Sequence, residues 1–258
     1  MVTPDHSERI PLLVTHTDIA IQSTLSMKIR GSNFHKKPAT IFVDSNQNQW
    51  LWKDLTVSAL TREYLVSFLA SQLGLLIPRS LIAKKNHSLG LIQEWISNGK
   101  ELYSSSKHQM NNTTKIKILN LIIFEAWIGA LDRHGGNYLT YDGEVWAIDF
   151  EDSFATKTRG SELCLYFPWI KESQDDLNEA IQNFKSNITK KRLLKEDILF
   201  EQFSNLLKAL KDPRAKIALR NQLSKMHDLL QENFLHLETL VNTYLHQDHP
   251  TYEFFDKV

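Results

Sequence analysis

Asp132, Asn137 and Asp149 stand at a spacing, D-x4-N-x11-D, that could do chemistry. Phosphoryl transfer needs groups of this kind. One carboxylate orients or deprotonates the attacking hydroxyl, while an amide oxygen and a second carboxylate hold Mg2+ on nucleotide phosphates. Asp142-Gly143 lies between the apolar runs 138–141 and 145–150 and predicts a tight hairpin that brings Asp149 back to the loop holding Asp132 and Asn137. An apolar helical stretch precedes that loop, and Asp149 closes an apolar strand ahead of Phe150. The competing reading is a polar turn tied by Asx hydrogen bonds.

A phosphotransferase site of this type needs further parts upstream: a lysine on a strand facing the nucleotide and a glutamate on the next helix to hold it. Lys53 lies on the expected strand 49–55, and Glu63 falls near the start of the helix expected over 61–73. Alone, each is ordinary, since a strand lysine is usually solvated and a glutamate in a first helical turn complements the macrodipole. In this order, ahead of the Asp/Asn/Asp set, they read as a pair. A phosphate-covering loop belongs one strand earlier. There Gly31 and Ser32 offer backbone N–H groups beside Lys36 and Lys37, although one glycine does not make a G-x-G-x-x-G loop, and a surface turn is the alternative. By position, Gln93-Glu94-Trp95-Ile96 would form the hinge to the second lobe, with the backbone of Glu94, Trp95 and Ile96 meeting an adenine.

The elements that must carry these residues change character along the chain. Strand signals dominate from about 25 to 96, with hairpins at 40–55 and 81–96 around one helix. On 49–55, Trp50 and Trp52 face one way, Leu51 and Lys53 the other. From 115 onward the signals are helical apart from the 138–150 hairpin, with helices expected over about 112–131, 175–187 and 196–211. The last apolar stripe, Leu219 to Leu245, advances by about 3.7 residues per step, the pitch of a straight helix packed on its own domain or, alternatively, of a dimer seam. The class is therefore α+β, in 258 residues that suffice for two lobes around a cleft.

Composition narrows the function. Thirty basic and thirty acidic side chains cancel, which argues against a dedicated nucleic-acid binder. The lone Cys164 supports neither an internal disulfide nor a structural zinc site, and is read as a buried thiol in a reducing compartment. Residues 1–10 are polar and read as no signal peptide, and the most apolar run, 118–131, is too short to span a bilayer and is interrupted by Asn120 and Glu125. A cytoplasmic protein is expected.

The motifs resemble a known group. Asp132-Arg-His-Gly-Gly-Asn137 followed by Ala147-Ile-Asp149-Phe resembles the D-R-H-x-x-N and I-D-F motifs of phosphatidylinositol 3-/4-kinases and their relatives. The stretch from Glu63 to Pro78 resembles the corresponding helix of HipA-like kinases, so the chain looks like the small bacterial HipA-like branch of these atypical kinases. The resemblance implies a two-lobed protein-kinase-like fold that binds ATP and Mg2+. Its lobes would be a small β-rich N-lobe with one helix (1–96) and a larger helical C-lobe with the catalytic hairpin (97–258). It further implies that Lys53 contacts phosphates, Glu63 orients Lys53, Asp132 is the catalytic carboxylate, His134 assists at the transition state, and Asn137 and Asp149 ligate metal. Two departures stand out. Asp149-Phe-Glu151 lacks the glycine of D-F-G, and the following segment, 152–168, has only Lys157 and Arg159 as basic residues, which weakens a lipid reading. A serine/threonine protein kinase is expected, its acceptor a hydroxyl of another protein or of the chain itself. The alternatives are a phosphoinositide or small-alcohol kinase, transfer of AMP, and a nucleotide-binding pseudokinase docking a regulatory partner or second copy through its C-terminal helices.

Overall fold

The β-branched and aromatic runs of the first hundred residues pair as hairpins. The computed structural model describes residues 21–30, 36–44, 46–85, 88–102, 112–131, 133–156, 160–167, 169–172 and 174–246. Strands β1 (Ile21–Arg30), β2 (Lys36–Asp44), β3 (Gln49–Lys53), β4 (Ser80–Lys85) and β5 (Ser88–Glu94) form one antiparallel sheet in the order β1-β2-β3-β5-β4. Asp44 holds the β2–β3 connection. Its carboxylate accepts from the Asn46 and Asn48 backbone N–H groups, the Asn48 amide and the Trp50 indole, all at 2.9–3.0 Å. The period-two expectation for β3 holds. Trp50 is buried with Phe42, Leu81, Ala83 and Ile92 on one face, with Trp52 against them. Lys53 lies opposite Leu91 of β5, which faces the other way into the main core.

That other face is covered by α1 (Val57–Leu73), through Leu60, Leu65 and Leu69. The helix begins four residues earlier than the sequence predicted, because the Thr56 side chain caps it by accepting from the Ala59 N–H at 3.2 Å. Glu63 therefore sits in the second turn, 1% exposed, where a macrodipole role has no place. Gly74 ends the helix in the left-handed region (φ 72°), as a C′ glycine does.

The short β6 (Lys100–Glu101) joins β7 (Tyr138–Tyr141) and β8 (Glu144–Ala147) in a three-stranded sheet. Asp142 and Gly143 both take positive φ, 51° and 75°, the two-residue turn that Asp-Gly predicts. Before this hairpin, α2 (Asn112–Trp127) forms the buried axis of the helical lobe. It stops short of the expected 131 because Gly129 turns left-handed (φ 62°), and a Cβ there would stand 2.5 Å from the Ala155 carbonyl.

Around α2 gather α3 (Leu163–Tyr166), α4 (Trp169–Glu172), α5 (Gln174–Lys190), α6 (Glu196–Gln202), α7 (Ser204–Ala209), α8 (Pro213–Leu235) and α9 (Leu237–His246). The helix expected over 196–211 breaks at Phe203, and the Leu219 to Leu245 stripe is carried by two helices that part at His236. Leu219, Leu223, Met226, Leu230, Val241 and Leu245 are all buried in the chain's own core. The indole of Trp127 donates to the Leu230 carbonyl (3.0 Å), and Asn233 donates to that of Trp127 (2.7 Å). This corrects the dimer-seam reading: the stripe is already covered by α2 and its neighbours. The two lobes share one apolar cluster. Tyr64 of α1 meets Phe203 edge-to-face at 5.3 Å, and Ser58 accepts from Gln222 of α8 at 3.0 Å.

Candidate active site

The last residue of β3 and the second turn of α1 meet on the inner face of the first sheet. Lys53 Nζ donates to Glu63 Oε1 at 2.8 Å and to Asp149 Oδ1 at 3.4 Å. Burial works against the ammonium, but Glu63 and Asp149 outweigh it and hold the Lys53 pKa above its ordinary value. Glu63 is a three-way acceptor. Oε1 also takes the Gln93 amide at 2.9 Å, and Oε2 takes the Phe150 backbone N–H at 2.7 Å. Gln93, expected only as part of the hinge, joins Glu63 instead: it stands on β5 opposite Leu51, two residues from Leu91, hence on the Lys53 face.

Asp149 follows β8 with φ 64°, a left-handed conformation that costs a non-glycine residue about 1–2 kcal/mol. The bond from Phe150 N–H to Glu63 holds the peptide there. The hairpin brings Asn137 alongside, since the Ile148 N–H donates to the Asn137 carbonyl at 2.9 Å. Asn137 is buried, while the Asp149 carboxylate is 48% exposed toward the cleft. Asn137 and Asp149 line a cavity of about 40 Å3 with Glu151 and Ser153, and the buried Ser153 hydroxyl has no partner among the described residues. That is room for a small ion and one or two waters. Burial, then the Asp149 charge, pushes the Glu151 carboxyl up.

The loop before Asn137 is tightly tied. His134 Nδ1 accepts from the Gly136 N–H at 3.1 Å, capping the 3-10 turn Gly135–Asn137. Glu162 Oε2 accepts from the Gly135 N–H at 2.6 Å, and the Glu162 N–H returns to the Arg133 carbonyl at 3.0 Å. Glu162 thus clamps the loop from the far side of the chain, which no local pattern announced. At the edge between the lobes, the Glu94 and Trp95 N–H groups are committed to the Arg79 and Gln49 carbonyls, both at 2.8 Å. Of the three residues expected to meet an adenine, Ile96 keeps its N–H without a partner among the described residues. Asp132, Gly31 and Ser32 lie outside the described residues, as do Lys157 and Arg159.

The donor set at the cavity fits Mg2+. One carboxylate and one amide are hard oxygen donors, and this ion is commonly held by one or two carboxylates with phosphates and waters completing the shell. Among the described residues no three His, Cys, Asp or Glu side chains converge to hold a metal by themselves. No helix among them is long and apolar enough to cross a membrane.

No protein-family profile and no curated protein matches this sequence. Solved structures do. The proinflammatory kinase CtkA of Helicobacter pylori superposes with a TM-score of 0.54 at 11% identity, over 81% of this chain and 91% of that one. The Rio2 kinase of Chaetomium thermophilum, crystallised as an ADP/Mg2+-phosphoaspartate complex, gives 0.41 at 14% identity over 82% and 71%. HipA of Shewanella oneidensis, crystallised with HipB and operator DNA, gives 0.42 at 10% identity over 90% and 67%. The antiparallel-sheet lobe with its helix α1 and the helical second lobe of this chain have the two-lobed, kinase-like fold seen in the CtkA structure.

Proposed function

We propose that this chain is an ATP- and Mg2+-dependent phosphotransferase that phosphorylates a serine or threonine hydroxyl of a protein, itself included. The observation that supports it most is the chain of contacts from Lys53 through Glu63 to the Asp149–Phe150 peptide, beside Asn137. Phosphoryl transfer is mainly positioning and charge neutralisation, and these residues supply both. Lys53, held charged by two carboxylates, grips the nucleotide phosphates. Asn137 and Asp149 would hold Mg2+, which would offset the phosphate charge. Asp132 accepts the proton of the acceptor hydroxyl as its oxygen bonds to the γ-phosphorus, the β–γ bridging bond breaks and ADP departs. His134, whose Nδ1 accepts from the Gly136 N–H, assists at the transition state. The N–H groups of Gly31 and Ser32 cover the phosphates, and Ile96 offers its N–H to the adenine. In this reading the N-lobe is 1–96 and the C-lobe 97–258, and the protein works in the cytoplasm without nucleic acid.

The test is to incubate the full chain with Mg2+ and γ-labelled ATP beside Asp149→Ala. Asp149-dependent label with a mass gain of about 80 Da, one phosphoryl group, supports the reading. Binding without transfer to any protein, phosphoinositide or small alcohol would leave a pseudokinase. Absence of both binding and label would refute the nucleotide reading.

A further inference from the structure

Arg133 follows the expected catalytic carboxylate in sequence, but its side chain turns inward and is 1% exposed. Its Nε–H donates to Glu125 Oε1 at 2.9 Å. Nη1 donates to the Ile148 and Asp149 carbonyls at 2.8 and 3.0 Å, and Nη2 to that of Asn137 at 3.4 Å. The guanidinium carbon lies over the Phe150 ring at 4.1 Å and the Tyr138 ring at 4.8 Å. Glu125, on α2, is fully buried and also accepts from the Tyr138 hydroxyl at 2.9 Å to each oxygen. Tyr244 of α9 donates to the same carboxylate at 3.4 Å.

A buried ion pair adds little net stability, since apolar residues of similar volume replace it at small cost. A pair buried this deeply next to the cleft therefore calls for another account. Apolar side chains cannot grip three carbonyls on two segments. Those carbonyls belong to Asn137, Asp149 and the residue before Asp149. The peptide joining the left-handed Asp149 to Phe150 is thus held at both edges, its carbonyl by Arg133 and its N–H by Glu63. The planar fork of arginine suits this task, and a lysine ammonium does not.

We infer that Arg133, held by Glu125, is a positioning residue that sets the separation and orientation of Asn137 and Asp149, and so the affinity of the site for the divalent cation. This deepens the phosphotransferase reading and rests on it. In that account α2 and α9 support the metal pair through Glu125 without touching substrate.

Two variants of the full chain separate positioning from folding. Arg133→Lys keeps the charge balance with Glu125 but loses the fork. Glu125→Gln/Arg133→Met removes both charges while leaving an oxygen for the Tyr138 hydroxyl. Each is measured for thermal midpoint, for the Mg2+ concentration that half-saturates binding of a fluorescent ADP analogue, and for turnover. The expected result is a thermal midpoint close to that of the parent in at least one variant. In that variant the Mg2+ requirement rises about 10- to 100-fold and kcat falls by a similar factor, the range found when partners of metal ligands are removed. The KM for the acceptor stays unchanged. A folded variant with the parent's Mg2+ midpoint overturns the positioning role, and so does loss of folding in both, which would make the pair structural. A parent chain that binds the Mg2+-nucleotide and turns it over while the variants do likewise fails this inference alone. A parent that binds no nucleotide at any Mg2+ concentration fails the phosphotransferase reading, and this inference with it.

Discussion

Replacing Glu63 by Gln is the most exacting test of the contacts at the cleft. The substitution changes one oxygen to an NH2 group and little else in shape. In the native site, two donors converge on Oε1, from Lys53 at 2.8 Å and Gln93 at 2.9 Å, and one on Oε2, from the Phe150 N–H at 2.7 Å. An amide cannot serve all three. Turned the cheaper way, its NH2 faces the Phe150 N–H and orphans it, at about 1–3 kcal/mol for an unsatisfied buried donor. The ammonium of Lys53, only 17% exposed, then loses its charged partner. Removing one member of a buried pair costs about 3–5 kcal/mol, and Asp149 at 3.4 Å retains part of that. Because the two losses overlap, Glu63→Gln should lower stability by about 3–5 kcal/mol. Urea unfolding measures it as a lower midpoint at unchanged slope. The sign of the pH dependence follows from Lys53. Its folded-state pKa lies above the unfolded value of about 10.4, so the contribution is fully present below that pH and is lost as pH rises through the folded value. The difference between parent and variant should be flat from about pH 6 to 9 and shrink above about pH 10.5. A loss under about 1 kcal/mol, or a difference that vanishes near neutrality, would refute the argument.

Other outcomes follow from the same contacts. Phe203→Ala empties a fully buried site against Tyr64 and should cost about 3–5 kcal/mol, read as a lower urea midpoint. Burial pushes the Cys164 thiol up to about 12, so native protein should resist iodoacetamide at pH 8 and react only on unfolding; fast native alkylation would contradict the packing. Burial opposes ionisation of Asp44, but the bonds from Asn48, Trp50 and Asn46 outweigh it and hold its carboxyl below the ordinary range. Its contribution is therefore present above the unfolded value of about 3.9 and lost as pH falls through the folded one. The stability gap between parent and Asp44→Ala, followed by urea titration, should stay constant from about pH 7 to 5 and close in stronger acid.

Local chemistry made much of this protein legible in its sequence. Period-two alternation in 49–55 placed Lys53 on the face opposite Trp50 and Trp52, because side chains of a strand cannot choose their faces independently. Asp142-Gly143 specified a turn with two positive φ values, and that turn brings the strand ending at Asp149 back beside Asn137. The same reasoning stopped where the partners of a group are distant along the chain. Glu63 looked like a first-turn residue because the Thr56 cap was not recognised, and its buried carboxylate acquires meaning only when Gln93 and Phe150 arrive from other elements. Glu125 was visible only as an interruption of an apolar helix. Its partner Arg133, and the three carbonyls that Arg133 holds, come together only once the α2 axis, the loop and the hairpin are packed. The stripe from Leu219 to Leu245 was written clearly in the sequence, but periodicity names an apolar face and not what covers it. The tertiary structure decided that, by setting α8 and α9 against the lobe's own core.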